Sequence, residues 1–99
     1  MKMKRTGIKE NVINAICALA KKHDIDQVVL FGSRARGDYG RASDIDLAVS
    51  GGNIARFALD VEEETPTPLK YDVINLDENI QEELKKNIER EGLVLYEKI

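Results

Sequence analysis

Gln27-Val28-Val29-Leu30-Phe31-Gly32-Ser33-Arg34-Ala35-Arg36-Gly37 and Asp44-Ile45-Asp46-Leu47-Ala48-Val49-Ser50 decide how this chain folds. Gln27–Phe31 is a short, β-branched apolar run, consistent with a strand buried on both faces. Gly32–Gly37 breaks it. Asp44–Ser50 alternates instead, with Ile45, Leu47 and Val49 on one face and Asp44, Asp46 and Ala48 on the other. That is a strand with a packed face and a partly polar face. Asp44 and Asp46 are two apart on it, so they point the same way, about 7 Å from each other.

The pattern extends outward from there. Ile8, Val12, Ile16, Leu19 and Ala20 recur at helical spacing and predict an amphipathic helix over 7–22. His23 stands at its end, where a cation suits the helix dipole. Gly51-Gly52-Asn53 is a turn whose Asn53 can cap a helix over 54–64. Thr65-Pro66-Thr67-Pro68 is a stiff connector. Leu69–Leu76 reads as a third strand, with Leu69, Tyr71 and Val73 facing one way and Lys70, Asp72 and Ile74 the other. Asp77 is expected to cap a helix running to about Glu91, striped by Ile80, Leu84 and Ile88 and stopped by Gly92. Leu93–Tyr96 reads as a last extended piece. This order predicts an α/β (α+β) layer, a small mixed β-sheet of three to four strands flanked by helices. With 99 residues and no linker, one domain over 1–99 is expected.

Composition narrows the function. The chain is 42% hydrophobic and 33% charged, which suits one core and excludes a disordered chain. The net charge of −3 is uneven: residues 1–22 carry +5 and residues 23–99 carry −8. An acidic chain lacks the footprint for gripping a phosphate backbone, so direct nucleic-acid binding is not expected. The single cysteine, Cys17, cannot form an internal disulfide and fits a reduced, cytoplasmic setting. Beside Ile13, Ile16 and Ala20 it reads as a small core residue. No apolar run reaches the length of a membrane span. The basic start, Met1–Arg5, is not followed by a signal peptide's apolar region, because Lys21-Lys22 ends the run Ala15–Ala20.

Three features carry chemistry. Gly32 permits close backbone approach, and a helical turn from Ser33 would aim N–H groups and a hydroxyl at an anion. Arg34, Arg36 and Arg41 are candidates to add positive charge for phosphate oxygens. Asp44 and Asp46 can hold hard divalent cations through oxygen. Asp24-Ile25-Asp26 repeats the spacing, but between a helix end and a strand start, where it reads as loop and capping residues. Asp72 is a carboxylate inside an otherwise apolar strand, penalised if buried unless it is paired or metal-bound. A plain surface position for it, on the Lys70 side, stays open. Gly-Ser, ten residues, then Asp-x-Asp is more specific than any of its parts.

This pattern resembles the nucleotidyltransferases related to DNA polymerase beta. It is most similar to the stand-alone minimal nucleotidyltransferase (MNT) group, the MntA-like antitoxins of HEPN–MNT toxin–antitoxin pairs. Leu30–Gly37, Ser43–Val49 and Tyr71-Asp72-Val73 carry the resemblance, and the tail from Asp77 to Tyr96 is similar in kind. The resemblance implies Mg-dependent transfer of a nucleoside monophosphate, AMP from ATP first among them, to a hydroxyl. Asp44, Asp46 and Asp72 would be the catalytic carboxylates, holding two Mg2+ ions. Gly32 and Ser33 would hold the outer phosphates, with Arg34 and Arg36 as further nucleotide contacts. The acceptor it implies is a tyrosine of a small helical HEPN-type toxin encoded by the adjacent gene, with this chain as the antitoxin. Ninety-nine residues leave acceptor recognition to another chain, and whether the chain forms a homo- or hetero-oligomer stays open. Two other readings stand beside it: the catalytic subunit of a two-chain small-molecule nucleotidyltransferase, and a non-catalytic antitoxin that neutralises its partner by binding.

Overall fold

The computed structural model describes residues 6–99. The elements in order are α1 (Glu10–Lys22), β1 (Gln27–Phe31), α2 (Ser33–Arg36), β2 (Ile45–Ser50), α3 (Ile54–Glu64), β3 (Tyr71–Asn75), α4 (Glu82–Glu91) and β4 (Leu93–Glu97). The four strands form one mixed sheet in the order β3-β2-β1-β4. β1 runs antiparallel to both β2 and β4, while β2 and β3 are parallel. The parallel pair needs a crossover, and α3 supplies it.

The two periodicities of the strands sort the core into two faces. Val28, Leu30, Ile45, Leu47 and Val49 pack with Val12, Ile16, Leu19 and Ala20 of α1 and with Ile54, Phe57 and Val61 of α3. Fully burying a side chain of this size stabilises by about 1.5–3 kcal/mol. The opposite face carries Val29, Phe31 and Ala48, covered by Ile88 of α4 with Ile74, Leu76, Ile80 and Leu84 around it. β1 is thus buried on both sides, as its unbroken apolar run requires. The second face is only partly covered, and β2 and β3 bring their polar alternate residues to it.

Several element ends differ from the sequence pattern: β2 starts at Ile45 rather than Asp44, β3 spans Tyr71–Asn75 rather than Leu69–Leu76, and the starts of α1 and α4 move. α1 begins at Glu10 rather than near residue 7, because Gly7 has a φ of 72° and lies outside the helical region. Lys2, Lys4 and Arg5 of the basic start lie outside the described residues. α4 begins at Glu82, with Gln81 and not Asp77 at its N-cap position. The Asp77 carboxylate is used elsewhere: it accepts a hydrogen bond from Gly51 N at 2.9 Å, and Asp77 N donates to Asn75 Oδ1. Asp77 therefore ties the turn after β3 to the turn after β2. Asn53 caps α3 as expected, accepting from Arg56 N at 3.2 Å. His23, at the end of α1, bonds Asp60 of α3 at 2.7 Å and joins the two helices that cover one face. Cys17 is half-buried and donates to Leu95 O, and burial pushes its thiol up. Among the described residues no helix is long and apolar enough to cross a membrane.

Candidate active site

The site forms where β1 ends beside the starts of β2 and β3. Phe31 pairs with Asp46 across the antiparallel ladder, so Gly32 comes down next to the second aspartate. Gly32 has a φ of 77°, a conformation that favours glycine. A Cβ there would overlap the Asp46 carboxylate. Both facts demand glycine at this position: the backbone must turn left-handed, and it must do so against a side chain. The turn's own bonds begin at Ala35 and Arg36, both donating to Gly32 O. The N–H groups of Ser33 and Arg34 precede that ladder, and the half-buried Ser33 hydroxyl sits with them.

The carboxylates meet by register. Asp46 of β2 and Asp72 of β3 are direct partners in the parallel pair, so their side chains leave the same face on strands about 4.8 Å apart. Asp44 lies just ahead of β2, two residues from Asp46 and on the same side. Burial pushes the Asp46 carboxyl above the usual carboxylate range, and the charges of Asp72 and then Asp44 push it further. Arg36 acts in the opposite sense. The four residues therefore share one electrostatic neighbourhood. Among the described residues none of the three carboxylates has a hydrogen-bond or ion-pair partner, and no three His, Cys, Asp or Glu side chains are gathered closely enough to hold a metal ion by themselves. Hard, oxygen-only donors of like charge on one open face suit a divalent cation bound together with further oxygen ligands, such as those of a phosphate.

The two arginines separate sharply. Arg36 is exposed and forms ion pairs with Asp38 at 3.2 Å and with Glu91, the last residue of α4, at 2.9 Å. Those hydrogen bonds raise its already high pKa. It is exposed and lies within the field of Asp46. Arg34 does not match the expectation of a nucleotide contact. It is 2% exposed, and its guanidinium donates to Ser43 O at 2.9 Å, Thr6 O at 2.9 Å and Arg41 O at 3.4 Å while lying over the Tyr39 ring. All three nitrogens are committed to the protein. Arg36's link to Glu91 was also beyond sequence reasoning, since the two are 55 residues apart.

Residues 13–99 match the family described as polymerase beta, nucleotidyltransferase. The chain belongs to that family. It is an enzyme, a nucleotidyltransferase. It is 35% identical over 81 residues to a Methanocaldococcus jannaschii protein that carries the provisional name of protein adenylyltransferase, a match covering 73% of this chain and 79% of that one. Solved structures that share its fold include two toxin–antitoxin structures. A toxin–antitoxin with AMP-PNP is 23% identical at a TM-score of 0.67, covering 87% of this chain and 73% of that one. A mutant MntA–HpeT toxin–antitoxin is 21% identical at a TM-score of 0.66, with the same coverage.

Proposed function

We propose that this nucleotidyltransferase moves AMP from ATP to a hydroxyl, a tyrosine of a small helical HEPN-type partner, and so acts as the antitoxin of a pair in the cytoplasm. The observation that carries the reading is the register of Asp46 with Asp72, with Asp44 two residues away and the Gly32–Ser33 turn pressed against Asp46. That arrangement sets acidic oxygens beside a turn with free donors, which is what a triphosphate brought in with cations needs. The similarity to the M. jannaschii protein supports AMP transfer to a protein acceptor. The shared fold with the toxin–antitoxin structures supports a protein partner.

Asp44, Asp46 and Asp72 are the residues that would hold Mg2+, which when bound supplies charge neutralisation at the attacking and leaving oxygens. The chain's own residues do the rest. The Gly32–Ser33 turn orients the outer phosphates through the Ser33 hydroxyl and N–H, and Arg36 leaves Asp38 and Glu91 to meet them. The acceptor oxygen bonds to the α-phosphorus, the bond from that phosphorus to the bridging oxygen breaks, and pyrophosphate leaves. The hydroxyl proton passes to the exposed Asp72 carboxylate and on to solvent.

Labelled ATP distinguishes transfer of AMP from transfer of the terminal phosphate. With the partner present, label in the α-phosphate should appear on the partner and label in the γ-phosphate should appear in pyrophosphate. Label on the partner from the γ-phosphate would overturn the assignment.

A further inference from the structure

Arg34 is among the largest fully buried side chains in the protein, yet it carries a permanent charge. Burial of an unpaired guanidinium is strongly unfavourable, so the contacts that compensate it define its role. They reach three separate places. Nε and Nη2 take the carbonyls of Ser43 and Arg41, and Nη1 takes the carbonyl of Thr6. The flat face lies 4.9 Å from the centre of the Tyr39 ring. Arg34 itself sits on α2, one residue after Ser33.

Asp44 follows Ser43 directly. On its other side Ile45 N donates to Lys70 O and starts the sheet. The turn from Gly40 to Ser43 is closed by Ser43 N on Gly40 O and by Gly40 N on Ser43 Oγ. Asp44 is thus bracketed by the sheet behind it and by a turn whose carbonyls are held from α2. The clamp is completed by Thr6-Gly7. Gly7 has a φ of 72°, and a Cβ on it would meet the Tyr39 ring and stand 2.7 Å from Arg34 Nη1.

We infer that Arg34 is a positioning residue, a strut that fixes Asp44 relative to the Gly32–Ser33 turn, with Thr6-Gly7 as the wall that keeps the strut in place. The inference rests on the reading of Asp44 as a metal ligand. In that role the Arg34 side chain would act through the backbone it holds rather than by touching nucleotide or metal. It acts by holding the Arg41 and Ser43 carbonyls of the turn that delivers Asp44 and tying them to Thr6 O, and a lysine, with one point charge, cannot bond all three. Supporting groups of this kind are worth about 10–100-fold in metal affinity.

The test uses the full chain and Mn2+ as the probe, with free Mn2+ counted by electron paramagnetic resonance in the presence of AMP-PNP. Arg34→Lys, Arg34→Gln and Gly7→Ala are compared with the parent, and each variant's cooperative thermal melt is recorded. The expected result is Mn2+ binding weakened at least about tenfold in the Arg34 variants and in the same direction in Gly7→Ala. Variants that melt cooperatively and bind Mn2+ like the parent overturn the inference. Should the Arg34 variants fail to melt cooperatively, Gly7→Ala decides alone. A parent chain that binds no Mn2+ with AMP-PNP sinks the metal reading of Asp44 itself, and the strut with it.

Discussion

At the scale of single residues, Gly32 and Asp46 are one unit. Gly32→Ala forces a side chain into a left-handed backbone and against the Asp46 carboxylate. It should destabilise the protein by about 1–3 kcal/mol in urea melts. AMP transfer should fall by about 100-fold, as expected for a small misplacement of reacting groups. A Gly32→Ala enzyme with parental activity would show that this close approach is dispensable. Asp46→Asn should behave oppositely in stability. It removes a carboxylate crowded by burial, Asp72 and Asp44, so the metal-free melting temperature should rise by a few degrees while transfer is lost. An unchanged or lower melting temperature would mean that the crowding is relieved by some other route. Much of this neighbourhood is legible in the sequence, because Gly32-Ser33 and Asp44-x-Asp46 each sit at the start of one local element whose geometry fixes where they point. The two arginines are not. Residues two apart on a helical turn point to nearly opposite sides, and the partners that bury Arg34 are backbone carbonyls of Thr6, Arg41 and Ser43, which no side-chain pattern displays.

At the scale of elements, the strands follow their periodicity closely and the helix ends less so. Leu69, Tyr71 and Val73 do share the face that packs under α1 and α3, as their alternation indicates. The start of α4 is not legible in the sequence, because Asp77 is a good cap by residue type and type alone does not reveal that Gly51 N claims its carboxylate. The two roles are separable. Asp77→Ala should shift the Gly51 amide signal in NMR and leave the helical content in circular dichroism unchanged. Loss of helix with Gly51 undisturbed would restore Asp77 as the cap. Asn53 does cap α3, so Asn53→Ala should lower stability by about 1 kcal/mol in denaturant melts, with no direct effect on the Asp44–Asp46–Asp72 face.

At the scale of the whole molecule, one face of the sheet is sealed by α1 and α3, and the other holds α4 beside an open, acidic corner. The net charge reads differently in that light: under the proposed function Asp44, Asp46 and Asp72 would form a cation-holding face rather than solvated surface. Global stability should also decline in alkali. Burial raises the Cys17 thiol and the Tyr71 hydroxyl, against which the Thr65 hydrogen bond lowers Tyr71. Each group is protonated more firmly folded than unfolded. Their contribution is fully present below the unfolded values of about 8.5 and about 10 and is lost as pH rises through the folded ones. Denaturant melts at about pH 7 and about pH 10 should show the loss, and Cys17→Ala should reduce it. AMP transfer to a partner is tested most directly by the intact mass of a HEPN-type partner after incubation with this chain and Mg-ATP, beside the Asp44→Asn, Asp46→Asn double variant. The partner should gain the mass of one or more AMP units on tyrosine with the parent chain and none with the double variant. A partner left unmodified by both, yet still neutralised by both, would contradict transfer and identify a chain that works by contact alone.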